Sequence, residues 1–150
     1  MAGFRSFCFL LALALCAPTA SAQAADACRP QVREGWVRLG PAGMPMMAGF
    51  GRIENHCPAP VTITAASSPA FDSAELHETR MVDGVNRMRQ LPELRIAPGG
   101  VAVLKPGGMH LMLVKPHARL KPGSRVAVSF ALSGGGELLG EFEVRRPDAL

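Results

Sequence analysis

Tyrosine is absent from the 150-residue chain, tryptophan occurs once, and aromatic residues make up only 5% of it. A chain so short of rings cannot build the stacked aromatic platform that sugars or single-stranded nucleic acid require. Charge is sparse too, at 19%, and although the net charge is +4 the lysines and arginines are scattered, without a run of four or more. They form no phosphate-tracking stripe, so no nucleic acid is expected as a partner. There is no apolar stripe at helical spacing over ten or more residues, no G-x-S-x-G elbow and no Cys–His pair placed as nucleophile and base, which leaves no visible enzyme chemistry. What remains, 48% hydrophobic residues with 16 glycines and 13 prolines, has the composition of one ordinary globular domain.

The N-terminus reads as an export signal. Arg5 precedes an apolar stretch from Phe7 to Ala17 that is too short to span a bilayer, and Ala20-Ser21-Ala22 offers a small-residue cleavage site before Gln23. The expected division is a signal peptide over 1–22 and a mature domain over 23–150, exported to the periplasm with no membrane span. Leu15 stands before Cys16 where lipid attachment would call for a small residue, so Cys16 is not read as an anchor. Cleavage leaves Cys28 and Cys57 as the only cysteines. In an oxidising compartment such a pair is expected to form a disulfide, and neither residue belongs to a thiolate ligand motif.

The mature chain alternates short apolar-periodic runs with turn residues. Strands are expected over 32–39, 48–55, 61–66, 74–80, 85–90, 101–104, 110–114, 126–132 and 138–144. Val126, Val128, Phe130 and Leu132 show the period of a half-buried strand. Breaks such as Asp83-Gly84, Pro98-Gly99-Gly100 and Pro106-Gly107-Gly108 supply residues suited to positive φ or a fixed turn angle. The expected fold class is therefore all-β: a single-domain, two-sheet antiparallel sandwich with Greek-key connections.

Two histidine–methionine pairs stand out from this background. In 74–80, Glu75, His77 and Thr79 share one strand face and Ala74, Leu76 and Glu78 the other. If Asp83-Gly84 is a two-residue hairpin loop, Val82 pairs with Val85 and Thr79 with Met88, which makes Met88 a diagonal neighbour of His77. In the run Met109-His110-Leu111-Met112, His110 and Met112 share a face. Imidazole and thioether are neutral, soft donors, and a set without thiolate or carboxylate suits Cu(I) better than zinc, calcium or magnesium.

Spacing strengthens that reading. Ten residues separate His77 from Met88, twenty-one separate Met88 from His110, and His110-Leu111-Met112 closes the pattern. With its flanks, Glu75-Leu76-His77-Glu78, Asp83-Gly84-Val85 and Pro106-Gly107-Gly108 before Met109, the chain resembles the periplasmic copper chaperones written PCuAC. The resemblance implies a cupredoxin-like sandwich without a blue-copper cysteine, a metal site of His77, Met88, His110 and Met112 holding one Cu(I), and no catalytic role. It also implies delivery of copper to cytochrome c oxidase assembly, at the dinuclear copper centre of subunit II or through an assembly factor, by a chain expected to act as a monomer. The competing readings are an exported β-sandwich binding module without metal, a periplasmic copper scavenger, and a copper oxidase.

Other residues carry weaker expectations. Met44, Met46 and Met47 cluster in a Gly/Pro-rich loop, where they either assist copper capture or fill an irregular gap. Met81 and Met109 are read as packing or shielding residues, His56 and His117 as solvated, and Trp36 as part of the core.

Overall fold

The computed structural model describes residues 28–41 and 44–149, so the expected signal peptide over 1–22 lies outside the described residues. Ten strands follow one another: β1 Gln31–Arg38, β2 Met46–Glu54, β3 Val61–Ser67, β4 Phe71–Val82, β5 Val85–Gln90, β6 Leu94–Ile96, β7 Val101–Leu104, β8 Met109–Pro116, β9 Arg125–Leu132 and β10 Glu137–Arg145. No helix occurs among the described residues. The nine expected strands are all present. The tenth, β6, is three residues long and too short to show a period, although Leu94 and Ile96 both point inward.

Seven strands hydrogen-bond in the order β4-β8-β2-β1-β10-β9-β3, and Ala66 on β3 meets Ala74 on β4 to close the ring. Strands β5, β6 and β7 extend it from β4, β3 and β2. The result is a closed, single-domain β-sandwich. One pairing departs from the antiparallel expectation: β1 and β10, the first and last strands, run parallel, with Trp36 beside Glu143 and Val37 beside Val144. Chain-end strands that meet inside a closed sheet are free of the hairpin constraint that forces consecutive neighbours to be antiparallel.

Alternation along each strand sends Val37, Ile53, Ile63, Leu111, Leu113, Val128, Phe130, Phe142 and Val144 into one fully buried core. The Phe130 and Phe142 rings lie 6.4 Å apart at its centre. Each such side chain contributes about 1.5–3 kcal/mol by leaving water. Two local devices set the phase of that alternation near the site. In β1 a bulge falls between Arg33 and Trp36, where Glu34 takes a φ of 53°. Gly51 lies against it, where a Cβ would come within 3.1 Å of the Arg33 carbonyl and of the Gly35 Cα. In the β4–β5 hairpin, Asp83 and Gly84 have φ of 51° and 76°, the two positive angles that a type I′ turn demands.

The far end of β2 is tied down by polar and covalent links. Asn55 is fully buried; its side-chain amide donates to the carbonyls of Ala59, Ile96 and Ala97, and its oxygen accepts from the Cys57 N–H. Cys57 is disulfide-bonded to Cys28, with Cα atoms 5.5 Å apart, as the sequence led us to expect. No helix among the described residues is long and apolar enough to cross a membrane.

Candidate metal centre

The β4–β8 pairing assembles the centre. Leu76 opposes Leu111 and Ala74 opposes Leu113 on the core side, so the alternate residues fall on the outer side, with His77 directly opposite His110 and Glu75 opposite Met112. The two imidazole rings lie 6.0 Å apart between centroids. The hairpin register adds the fourth residue: Thr79 pairs with Met88, as its turn residues implied, and Met88 therefore sits diagonally from His77 on the same face. The four candidate residues lie on three adjacent strands, on one face. Their exposure rises outward, from 7% for His110 through 14% for the His77 side chain to 52% for Met88.

Hydrogen bonding fixes which ring nitrogens remain free. His77 donates Nε2–H to Glu75 Oε2 at 2.9 Å, which leaves Nδ1 as the basic nitrogen; that atom is buried and has no hydrogen-bond partner. His110 donates Nδ1–H to the Gly108 carbonyl at 2.9 Å, which leaves Nε2 as its basic nitrogen. Each ring thus keeps one unshared pair, and the group that fixes its tautomer is of the kind that orients histidine ligands to metals. A buried, unpaired acceptor such as Nδ1 costs free energy unless a proton donor or a cation fills the place. Among the described residues no three His, Cys, Asp or Glu side chains come together as a metal-holding group. The donors that the same face adds to the two imidazoles are the thioethers of Met88 and Met112.

An apolar wall backs the site. Phe50 on β2 is buried on the same outer face, with its ring 6.5 Å from that of His110, and Trp36 on β1 stacks against Phe50 at 4.7 Å. Trp36 is buried as expected, but it lies outside the main core, because its strand neighbour Val37 takes the inward position. Arg38 and Arg145 cover these rings, at 5.1 Å over Phe50 and 5.2 Å over Trp36. On the core side of β4, Glu78 accepts from Arg80 and Arg89, and these bonds, that from Arg80 foremost, hold its carboxyl below the usual range. Glu78 is thereby paired away from the site.

Sequence reasoning missed Glu75 and Phe50 as parts of this centre. Glu75 was legible in principle, since it lies two residues before His77 on the same strand face; Phe50 depends on the β2–β8 pairing. His56 and His117 are exposed as expected, each bonded to a carboxylate, Glu54 and Asp72. Met109 packs against the core. Met81 does not pack: it is 65% exposed near the hairpin tip, opposite Asn86 and diagonal to Met88. Met46 and Met47 are not in a loop, because β2 begins at Met46, which pairs with Val114.

Residues 31–144 match the model of a family described as LpqE-like. A curated relative, Lxx21020 of Leifsonia xyli subsp. xyli (strain CTCB07), named as a lipoprotein, is 36% identical over 106 residues, which is 70% of this chain and 63% of that protein. The chain thus spans less than two thirds of that relative's length. Among solved structures, the apo PCuAC domain of PmoF2 superposes with a TM-score of 0.66 at 19% identity, over 81% of this chain and 93% of that one, a likeness of fold. DR1885 of Deinococcus radiodurans is 25% identical in both its apo and its CuI solution structures. Its TM-scores are 0.62 over 95% of each chain for the apo form, and 0.61 over 84% of this chain and 83% of that one for the CuI form.

Proposed function

The chain belongs to the LpqE-like family, and from that footing we propose that it is an exported copper chaperone that carries one Cu(I) on His77, Met88, His110 and Met112. The observation that carries this reading is the buried, unpartnered His77 Nδ1 on the ring opposite His110. Its support from outside the chain is the likeness to DR1885, whose CuI form is among the structures it resembles.

The donor set accounts for carriage rather than storage. Two neutral imidazoles and two thioethers leave the ion its single positive charge, so the protein does not trap it electrostatically. Ligand exposure rises from His110 to Met88. A recipient can displace the exposed Met88 thioether first, while the two histidines still hold the ion, and no bare ion enters solution. The recipient we propose is the dinuclear copper centre of cytochrome oxidase subunit II, or a protein that loads it. The work is done in the periplasm, by a carrier and not a catalyst, after removal of residues 1–22.

Two measurements test this. Anaerobic titration of the mature chain with Cu(I) against a chromophoric chelator should reach one strong equivalent; zero, or two equal strong equivalents, would overturn the site. The loaded chain mixed with the isolated copper-binding domain of oxidase subunit II should lose its copper to that domain. Retention against it would leave a scavenger in place of a chaperone.

A further inference from the structure

A second group of thioethers adjoins the proposed site. Met44, Met46, Met47 and Met112 line one open cavity of about 400 Å³, with Ala48 and Arg38 in its wall. Four of the eight methionines in the chain therefore meet at one place, the sequence cluster of Met44, Met46 and Met47 being joined there by the distant Met112. Strand register explains how. Ala48 stands directly opposite Met112 and Met46 opposite Val114, so Met46 is the diagonal neighbour of Met112 on the outer face. Such neighbours lie about 7–8 Å apart at Cα, within reach of long side chains. Ala48 has no bulk to fill the space opposite Met112, which leaves the hollow open.

The methionines of this cavity differ in freedom. Met47, one residue out of phase with Met46, packs against the core. Met44 and Met46 are 46% and 40% exposed. Exposing flexible apolar side chains costs hydration free energy and has no packing return. Among the described residues no carboxylate lines the hollow, so they offer hard divalent ions no donor there. The one cation among its described lining residues, Arg38, is drawn over the Phe50 ring, and its charge keeps any binding of a cation weak.

We propose that Met44 and Met46 form, with Met112, a weak thioether port for soft monovalent cations, through which Cu(I) enters and leaves the His77–His110 pair. This rests on the copper reading above and adds a second, transient station to it. Met112 belongs to both stations, so an ion can pass between them by exchanging one thioether at a time. The port holds ions at a high local concentration beside the stronger site, which speeds loading without changing the final occupancy.

The test uses Ag(I), an air-stable stand-in for Cu(I), titrated into the mature chain with carbon-13-labelled methionine methyl groups read by NMR. The first equivalent should shift Met88 and Met112. Further Ag(I) should shift Met44 and Met46, while Met109, packed against the core on the strand face opposite His110, stays still. Met44 and Met46 moving no more than Met109 would overturn the port. Ala48→Leu, which fills the hollow, and Met44→Leu/Met46→Leu, both at exposed positions, should abolish the second set of shifts. Both should also slow Cu(I) loading by about tenfold with the single strong equivalent retained; unchanged loading would overturn the port. Failure of the copper reading itself shows differently, as a Met88 methyl that ignores the first equivalent whatever Met44 does.

Discussion

His77 stands directly opposite His110 across the β4–β8 pairing, and each ring gives one nitrogen to a neighbour on its own strand side, Glu75 for the first and Gly108 for the second. The remaining nitrogens, His77 Nδ1 and His110 Nε2, are on rings held in place by the sheet. Because both side chains lie on the face away from the core, replacing either with glutamine should leave the fold intact while removing a proposed ligand. We expect His77→Gln and His110→Gln each to lower Cu(I) affinity by more than the roughly 10–100-fold that loss of a ligand's supporting group costs. Chelator competition reads the affinity and circular dichroism the fold.

Glu75 supplies that supporting group. Its carboxylate accepts from His77 Nε2 and leaves Nδ1 as the basic nitrogen. Without it the tautomer is free to switch. Glu75→Gln should therefore weaken Cu(I) binding by about 10–100-fold, with the stoichiometry still one. The imidazole nitrogen resonances of His77 should show a mixture of tautomers in the variant and a single Nε2–H form in the parent. A single unchanged tautomer would show that Glu75 acts only as a surface charge.

Much of this centre was legible because β-structure turns local sequence into geometry. Asp83-Gly84 specified a two-residue turn, the turn fixed the register of Thr79 against Met88, and the register put Met88 beside His77. What stayed hidden depends on pairings between distant segments. Nothing near Ala48 in the chain says that Met112 will lie opposite it, and nothing in β1 says that its bulge at Glu34 will turn Trp36 outward onto Phe50. Trp36 and Val37 are adjacent and both buried, so the simple equation of burial with the core fails wherever arginines cover the outer face.

The hairpin turn couples backbone chemistry to the position of Met88, a proposed ligand. Gly84 has a φ of 76°, and a Cβ at that position would meet nothing within 4 Å, so a side chain there suffers strain from the backbone angle and no steric clash. That strain is about 1–2 kcal/mol. Gly84→Val should shift or fray the β4–β5 register and displace Met88. Copper affinity should fall while the melting temperature, set by a core the hairpin tip does not enter, changes little. Equal affinity in the variant would remove Met88 from the site.

Cys28 and Cys57 secure the opposite end of β2 from the Phe50–His110 contact. Closing the chain between them is worth about 3–4 kcal/mol in the chain-entropy account. Cys28→Ser/Cys57→Ser should lose about that much stability in denaturant titration, with copper stoichiometry unchanged. Copper loss in the folded double variant would place a thiolate in the site.

Metal choice gives the sharpest discrimination, because it follows from ligand type and leaves the backbone alone. Thioether sulfur is soft and uncharged, so Met88 and Met112 favour Cu(I) and give Zn(II) almost nothing, leaving zinc with His77 and His110 alone. Two imidazoles make a poor zinc site, and no further His, Cys, Asp or Glu among the described residues completes a group of three with them. Met88→His/Met112→His would turn the same four positions into imidazoles, a set that suits zinc's tetrahedral preference. Met88 is exposed and Met112 lies on the outer face, so both positions accommodate the ring without disturbing the core. Competition between the two metals should show the parent strongly preferring Cu(I) and the double variant gaining zinc affinity by more than tenfold, about 1.4 kcal/mol or more. Equal zinc affinity in the two proteins would mean that these four side chains do not converge on one ion.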